Sequence, residues 1–235
     1  MSNKSMNIAI IPARSGSKGL VNKNIKVFCG KPLLVHSIEC AIKSGVFDEV
    51  FVSTDSLQYA DIAVEYGGTV PFLRDTCHSD DTSSMWDVLK DSLLKYESLG
   101  KVFNTATILQ PTSPLRSPCD VIEAHKIYQE KQADSVISIC KADHPMYIYG
   151  TLPVNYSMHS FIKYDKQSIQ RQQEDIKYRI NGAIYIIKCS YFSQSSDIYG
   201  VNSYAYVMPK ERSIDIDDEL DFITAETFYN KLHNT

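Results

Sequence analysis

Arg14, Lys18 and Lys23 stand close together in the run Pro12-Ala13-Arg14-Ser15-Gly16-Ser17-Lys18-Gly19 and the Lys23-Asn24 pair beyond it. Small residues let backbone N–H groups approach an anion closely, and three positive charges can neutralise triphosphate oxygens. The stretch has the chemistry of a phosphate loop. On its own, a solvated basic surface loop explains it equally well. The pattern GxxxxGK[ST] is absent, so a P-loop ATPase or GTPase loses support.

Ser213-Ile214-Asp215-Ile216-Asp217 alternates apolar and acidic residues. On a strand, Asp215 and Asp217 would share one face while Ile214 and Ile216 enter the core. Neighbouring carboxylates repel unless a cation lies between them, and oxygen ligands of this kind suit Mg²⁺ held jointly with phosphate. Capping of the last helix by Asp217 or Asp218 accounts for the same residues. Two further runs carry polar chemistry. Leu109-Gln110-Pro111-Thr112-Ser113-Pro114-Leu115-Arg116 follows a predicted strand, and its Gln110 offers both donor and acceptor atoms. Arg171-Gln172-Gln173 with Tyr178-Arg179-Ile180-Asn181-Gly182-Ala183-Ile184-Tyr185 can set an arginine fork against a substrate carboxylate. A surface loop explains either run taken singly.

The elements that must position these groups are predicted from apolar periodicity. Asn7 to Pro12 reads as a buried strand whose carboxyl end feeds the basic loop. A helix then begins near Pro32, carries Leu34, Ile38, Ala41 and Ile42 on one face, and stops at Gly45. The alternation continues with strand Val50 to Thr54, a helix through Ile62 to Tyr66, a short strand Val70 to Leu73 and a helix from Ser84 to Leu99. Strand Ala106 to Leu109, a helix around Val121 to Glu130, and strands Ser135 to Ile139 and Gly182 to Ile187 follow, with a closing helix presenting Leu220, Ile223, Phe228 and Leu232. Such alternation implies a mostly parallel sheet covered by helices, with ligands at the carboxyl ends of the strands. From about Met146 to Tyr178 the pattern lapses into a polar, Gln- and Tyr-rich stretch, read as an arm packing on a second subunit or as a long surface loop.

In combination the motifs resemble the acylneuraminate cytidylyltransferases (CMP-sialic acid synthetases), CMP-legionaminate synthetases included. The resemblance runs from end to end: IPARSGSKG with KN, STD at 53–55, SDDTSS at 79–84, LQPTSPLR, RQQ with YRINGAIY, and DIDDELD. It implies one cytidylyltransferase domain over 1–235, folded as a three-layer α/β/α sandwich with a mostly parallel Rossmann-like sheet of the nucleotide-diphospho-sugar transferase type. A small dimerisation arm at about 146–178 and a homodimer are implied too. By position, Arg14 and Lys18 would hold the triphosphate of CTP, with Ala13 and Ser17 in the same loop, and Lys23 would steady the α-phosphate. Asn24, Arg74 and Ser84 would help recognise cytidine. Gln110, Arg171 and Tyr185 would meet an acidic nine-carbon sugar, with Arg179 and Asn181 supporting that pocket. Asp215 and Asp217 would bind Mg²⁺, or Mn²⁺ in its place.

The chain departs from some sialate-specific relatives at Met146-Tyr147, after His144-Pro145, where those place a lysine. Gly19-Leu20-Val21-Asn22 fits sialate and legionaminate enzymes better than pseudaminate ones, and the first motif differs from that of Kdo cytidylyltransferases. Legionaminate or pseudaminate activation, and a catalytically silent nucleotide or sugar-acid sensor on the same fold, are the alternative readings. Retention of Lys18, Lys23, Asp215 and Asp217 together speaks against the sensor.

Composition narrows the rest. A net charge of −4 over 235 residues argues against nonspecific nucleic-acid binding. No stretch approaches the roughly 20 apolar residues of a membrane span, so neither membrane nor nucleic acid is an expected partner and a cytoplasmic location is expected. Six scattered cysteines form no CxxC pair and read as free thiols in a reducing compartment.

Overall fold

The computed structural model describes residues 6–16, 19–75, 84–145, 148–159, 161, 176–195 and 197–233. Eight named strands and six α-helices lie among them: β1 (Asn7–Pro12), β2 (Val27–Phe28), β3 (Lys31–Pro32), α1 (Leu33–Ser44), β4 (Glu49–Ser53), α2 (Leu57–Glu65) and α3 (Met85–Ser98) come first. Then follow β5 (Thr105–Ile108), α4 (Pro118–Lys131), β6 (Ser135–Lys141), β7 (Tyr178–Lys188), α5 (Cys189–Phe192), β8 (Ser203–Val207) and α6 (Glu219–His233).

Six strands form one sheet in the order β4-β1-β5-β7-β6-β8. β1 pairs in parallel with β4 and β5, and β6 with β8, whereas β7 is antiparallel to both its neighbours. The connection after β6 leaves and returns at the same end of the sheet, so β7 runs back beside β6. Its first residues therefore stand beside the carboxyl ends of β1, β4 and β5. The alternation of β1 sorts the core into layers. Ala9 and Ile11 enter one cluster with residues of α1, α2 and α4, while Ile8 and Ile10 enter another with Leu89 and Tyr96 of α3. Each of these isoleucines is 0 or 1% exposed, and burying one contributes roughly 2 kcal/mol. A third cluster, of Phe28, Leu33, Leu115, Ile216, Phe222 and Ala225, seats α6. The predicted layered sandwich is the observed one.

Several expectations need correction. Val70 to Leu73 is no strand; a single bridge, Phe51 to Thr69, is all that pairs there. β7 begins at Tyr178 rather than Gly182, and β8, a half-exposed edge strand, was not foreseen. Ile42 is 46% exposed, because α1 buries Leu34, Val35, Ile38 and Ala41 instead. The last helix is rotated from its predicted face: Phe222 and Ala225 are buried, whereas Leu220, Ile223 and Leu232 face solvent and Phe228 packs against the third cluster. Its phase is set at the start, where Asp218 Oδ1 accepts from Asp221 N–H at 2.9 Å and Asp221 Oδ2 accepts from Asp218 N–H at 3.2 Å. Thus Asp218, not Asp217, is the cap.

Two buried polar groups make stability depend on pH. His125 is 4% exposed, its Nε2 lies 3.0 Å from Thr107 Oγ1, and burial pushes it down to about 4. The folded state thus binds fewer protons than the unfolded chain between about pH 6.5 and 4. Its stabilisation is complete above that window and is lost as pH falls through it, by about 3 kcal/mol. His125→Gln retains a hydrogen-bonding amide without a titration, so denaturant midpoints of this variant should lose most of the slope in that window. Below it, Asp120 takes over: burial would raise its carboxyl, but hydrogen bonds from Arg212, Ser117 and Tyr206 prevail and lower it. That contribution disappears as acid protonates Asp120 and breaks its 2.7 Å pair with Arg212.

Candidate active site

The site is a cleft of about 420 Å³ at the carboxyl ends of β1 and β5, lined by Pro12, Arg14, Gly19, Lys23, Asn24, Gln110, Pro111, Thr112 and Asp217. A larger cavity, about 770 Å³, lies elsewhere, around the amino end of β5 and the far end of β7, and holds none of the predicted site residues.

The loop after β1 is tied down on several sides. Ala13, fully buried, donates its N–H to Ser53 O at 2.9 Å, and the Arg14 carbonyl accepts from Asn24 Nδ2 at 3.0 Å. Gly16 has φ +71°, which favours glycine, and a Cβ on Gly19 would stand 2.7 Å from the Asp217 carbonyl oxygen. The basic loop and the acidic segment are therefore in direct contact. Lys23 bridges them further, donating to Ile216 O at 2.6 Å and to Asp217 Oδ1 at 3.3 Å. Ser17 and Lys18 lie outside the described residues, as do Arg171, Met146 and Tyr147.

Asp215 and Asp217 do not sit on a strand. The 213–217 segment is irregular, held by backbone bonds from Ser213 N–H to Lys210 O at 3.0 Å and from Ile216 N–H to Thr112 O at 2.9 Å. The alternation survives nonetheless: Ile216 is fully buried and Ile214 half-buried in the third cluster. Asp217 is 82% exposed in its side chain, while Asp215 Oδ1 is buried with no hydrogen-bond partner. Burial pushes the Asp215 carboxyl up and Asp217 adds to this, whereas the Thr112 hydroxyl, Lys23 and Arg179 pull it down. A buried carboxylate oxygen without a donor is costly unless a ligand supplies the missing positive charge. No group of three or more His, Cys, Asp or Glu is arranged to hold a metal among the described residues. Two carboxylates leave the remaining positions to phosphate oxygens and water, which is how Mg²⁺ usually binds beside nucleotides. The residues present therefore fit such a cation.

The start of β7 carries the groups facing this pair. The register between β6 and β7 shifts between Ile137 and Ile139, and Ser138 fills the gap. Ser138 Oγ donates to Asn181 Oδ1 at 2.6 Å and accepts from Ile184 N–H at 2.7 Å. Asn181, 1% exposed, also donates to Ser213 Oγ at 2.9 Å, and Arg179 donates to Ser213 O at 3.0 Å. These two residues hold the segment leading into Asp215. Next to them within β7, Gly182 at φ +77° lets the backbone pass close to Gln110 and Asp215.

Gln110 is positioned by Arg116, which sequence reasoning left without a role. Arg116 is 4% exposed and donates to Gln110 O at 3.2 Å, to Ala183 O at 2.7 Å and to Ser37 Oγ at 2.5 Å, so it clamps the 110–116 loop to β7. Gln110 Nε2 meets Met85 Sδ at 3.5 Å. Tyr185 is mostly buried against Trp86, and burial, with Tyr199 and Asp215, pushes its phenol up to about 12. Ser113 is fully buried, in keeping with the absence of a hydrolase elbow around it. Arg74 lies at the rim of β4, bound to Ser53 O at 2.7 Å, and burial lowers it to about 10 against the opposing pull of Asp55. Ser84 Oγ accepts from Asp87 N–H at 3.1 Å as the cap of α3. The structure thus brings Arg14, Lys23, Asn24, Gln110 and Asp217 to one cleft, with Asp215, Asn181 and Arg179 linked to it through Gly182 and Ser213; Arg74 is bound to Ser53 and Ser84 caps α3, and neither lines the cleft.

The chain is 40% identical over 225 residues to the N-acylneuraminate cytidylyltransferase of Escherichia coli O18:K1:H7, covering 95% of this chain and 52% of that protein. It thus spans about half the length of that curated relative. It is 33% identical to the CMP-N,N'-diacetyllegionaminic acid synthase of Legionella pneumophila subsp. pneumophila, covering 93% of this chain and 94% of that one. Among solved structures, CMP:2-keto-3-deoxy-manno-octonic acid synthetase complexed with CTP superposes with a TM-score of 0.70 at 17% identity, over 97% of this chain and all of that one, a likeness of fold. A family model described as cytidylyltransferase matches residues 8–226, and with the two relatives it establishes that the chain belongs to the cytidylyltransferase family.

Proposed function

We propose that the chain couples CTP to an acidic nine-carbon sugar of the N-acylneuraminate type, forming the CMP-sugar and releasing pyrophosphate. The observation that carries this reading is the contact between the basic loop and the Asp215/Asp217 segment through Gly19 and Lys23, with Arg14, Lys23 and Asp217 lining one cleft. The greater identity to an N-acylneuraminate enzyme than to a legionaminate one supports the choice of sugar.

The anomeric hydroxyl of the sugar attacks the α-phosphorus of CTP in line with the leaving pyrophosphate. The P–O bond to the β-phosphate breaks as the new one forms, and the hydroxyl proton leaves to solvent. Arg14 and Lys18 hold the triphosphate with the backbone of Ala13 and Ser17, and Lys23 offsets the charge that accumulates at the α-phosphate. Asn24, Arg74 and Ser84 lie on the cytidine side. Gln110, Tyr185 and Arg171 orient the sugar, on a wall that Arg179 and Asn181 hold in place. Mg²⁺ or Mn²⁺, held by Asp215 and Asp217, would supply Lewis-acid stabilisation of phosphate charge.

A homodimer belongs to the same reading. Tyr149, Val154, Tyr156 and Met158 expose large apolar side chains in the 148–159 part of the predicted arm, as a surface covered by a second copy would. The expected compartment is the cytoplasm; no described helix is long and apolar enough to cross a membrane.

Pyrophosphate release from CTP with Mg²⁺, compared across N-acetylneuraminic, legionaminic and pseudaminic acids, tests the proposal, with ATP, UTP and chelator as controls. Turnover with N-acetylneuraminic acid that requires CTP and metal is the expected outcome. CTP binding without pyrophosphate release from any acid would leave a nucleotide sensor in its place.

A further inference from the structure

Asp55 follows the fully buried Thr54 at the carboxyl end of β4, and both of its carboxylate oxygens are engaged by the basic loop. Oδ1 accepts from Ser15 N–H at 2.7 Å, and Oδ2 accepts from Ser15 Oγ at 2.9 Å. With the 2.9 Å bond from Ala13 N–H to Ser53 O, these contacts anchor the loop to β4 at two successive points. Directly beyond lies Gly16 in its left-handed conformation, with φ +71°.

A carboxylate is an electrostatic liability here. It stands against a loop whose cations are there to receive a triphosphate, and at short range its charge opposes the ligand. The same backbone N–H and hydroxyl could be satisfied by a neutral acceptor or by water. The charge has two uses that offset the repulsion: it strengthens both bonds to Ser15, and it favours the charged form of the buried Arg74 guanidinium, which donates to Ser53 Oγ and Ser53 O.

We propose that Asp55 is a positioning residue for the nucleotide: acting through Ser15, it fixes the 13–19 loop in the conformation that presents Arg14 and the loop amides to the triphosphate. The inference rests on the cytidylyltransferase reading but concerns a residue to which that reading gives no role. It separates the two substrates, since the tether reaches the nucleotide side of the cleft and leaves the Gln110 side untouched.

Equilibrium binding of CTP, by calorimetry, and steady-state kinetics with both substrates varied test it on Asp55→Ala, Asp55→Asn and Ser15→Ala. Asp55→Ala should weaken CTP binding and raise its KM roughly tenfold or more, leaving the KM for the sugar acid unchanged. Asp55→Asn keeps an acceptor for the Ser15 N–H and removes the repelling charge, so it should recover most of the CTP affinity. Ser15→Ala, which retains only the backbone bond, should fall between. Equal losses for both substrates, or an Asn variant as weak as the Ala variant, would show a general structural contact and overturn the proposal. If the wild-type chain binds CTP and Asp55→Ala binds it equally well, this inference alone fails. If the wild-type chain binds no CTP at all, the nucleotide reading fails with it.

Discussion

Asp215→Asn is expected to give a folded protein of higher melting temperature whose turnover is lower on the order of 10²- to 10³-fold. Both effects have one origin. Asp215 Oδ1 is buried without a donor, and burial together with the nearby Asp217 charge works against ionisation. In the ligand-free chain that charge is a cost, and the amide relieves it at nearly constant volume. In the working complex the same charge is what a divalent cation needs, and the amide cannot replace it. Stability and activity should therefore move in opposite directions, as they do where a site stores an unfavourable group for use.

Asp217→Asn supplies the contrast. Its carboxylate is 82% exposed and paired with Lys23 at 3.3 Å, so little stability is at stake in either direction. Turnover should still fall steeply. Thermal melts and pyrophosphate release on the two variants separate the roles: a loss of activity in both, with a melting gain only at 215, is the expected pattern. Near-normal turnover of either variant at ordinary Mg²⁺ would sink the assignment of the pair as metal ligands.

The parts of this arrangement that were legible in the sequence are those written in local pattern. β1, with four consecutive apolar residues from Ile8 to Ile11, could only be a strand buried on both faces, and the basic loop had to leave from its carboxyl end. The alternation of Ile214, Asp215, Ile216 and Asp217 told which side chains turn inward, although the segment lacks the strand partner that the pattern suggests. What stayed hidden depends on contacts between distant segments. Phe222 and Ala225 face inward because α6 starts at Asp218 and lies on Phe28 and Leu115, a constraint absent from the helix's own periodicity. Arg116 looked like a surface charge at the end of a proline-rich loop, yet it is buried among carbonyls of Gln110 and Ala183. Asp55 was visible only as part of Ser53-Thr54-Asp55 at a strand end, and its partner lies 40 residues upstream.

Gly182→Ala should be a damaging single methyl group beside the cleft. The residue has φ +77°, where a side chain costs about 1–2 kcal/mol by itself. The added Cβ would stand 2.5 Å from Gln110 Oε1 and 3.2 Å from Asp215 Oδ2. The backbone cannot yield easily, because Asn181 and Ala183 on either side are pinned to Ser138, Ser213 and Arg116. Relief must come from Gln110, whose carbonyl is fixed by Arg116 and Ser37 but whose amide end can swing away. That movement takes from the sugar side an amide with both donor and acceptor atoms. A displacement of about 1 Å at such a group can cost about 10²-fold in rate. Accordingly kcat/KM for the sugar acid should drop by about that factor while CTP binding stays near normal, the reverse of the pattern expected at Asp55. Gln110→Ala in the Gly182→Ala background separates strain from lost contact. If the clash is what displaces Gln110, the double variant should regain the stability that the single one lost beyond the backbone term, yet remain as poor with the sugar. Restored turnover in the double variant would mean that Gln110 does not orient the sugar, and that the single variant fails through strain against Gln110 alone.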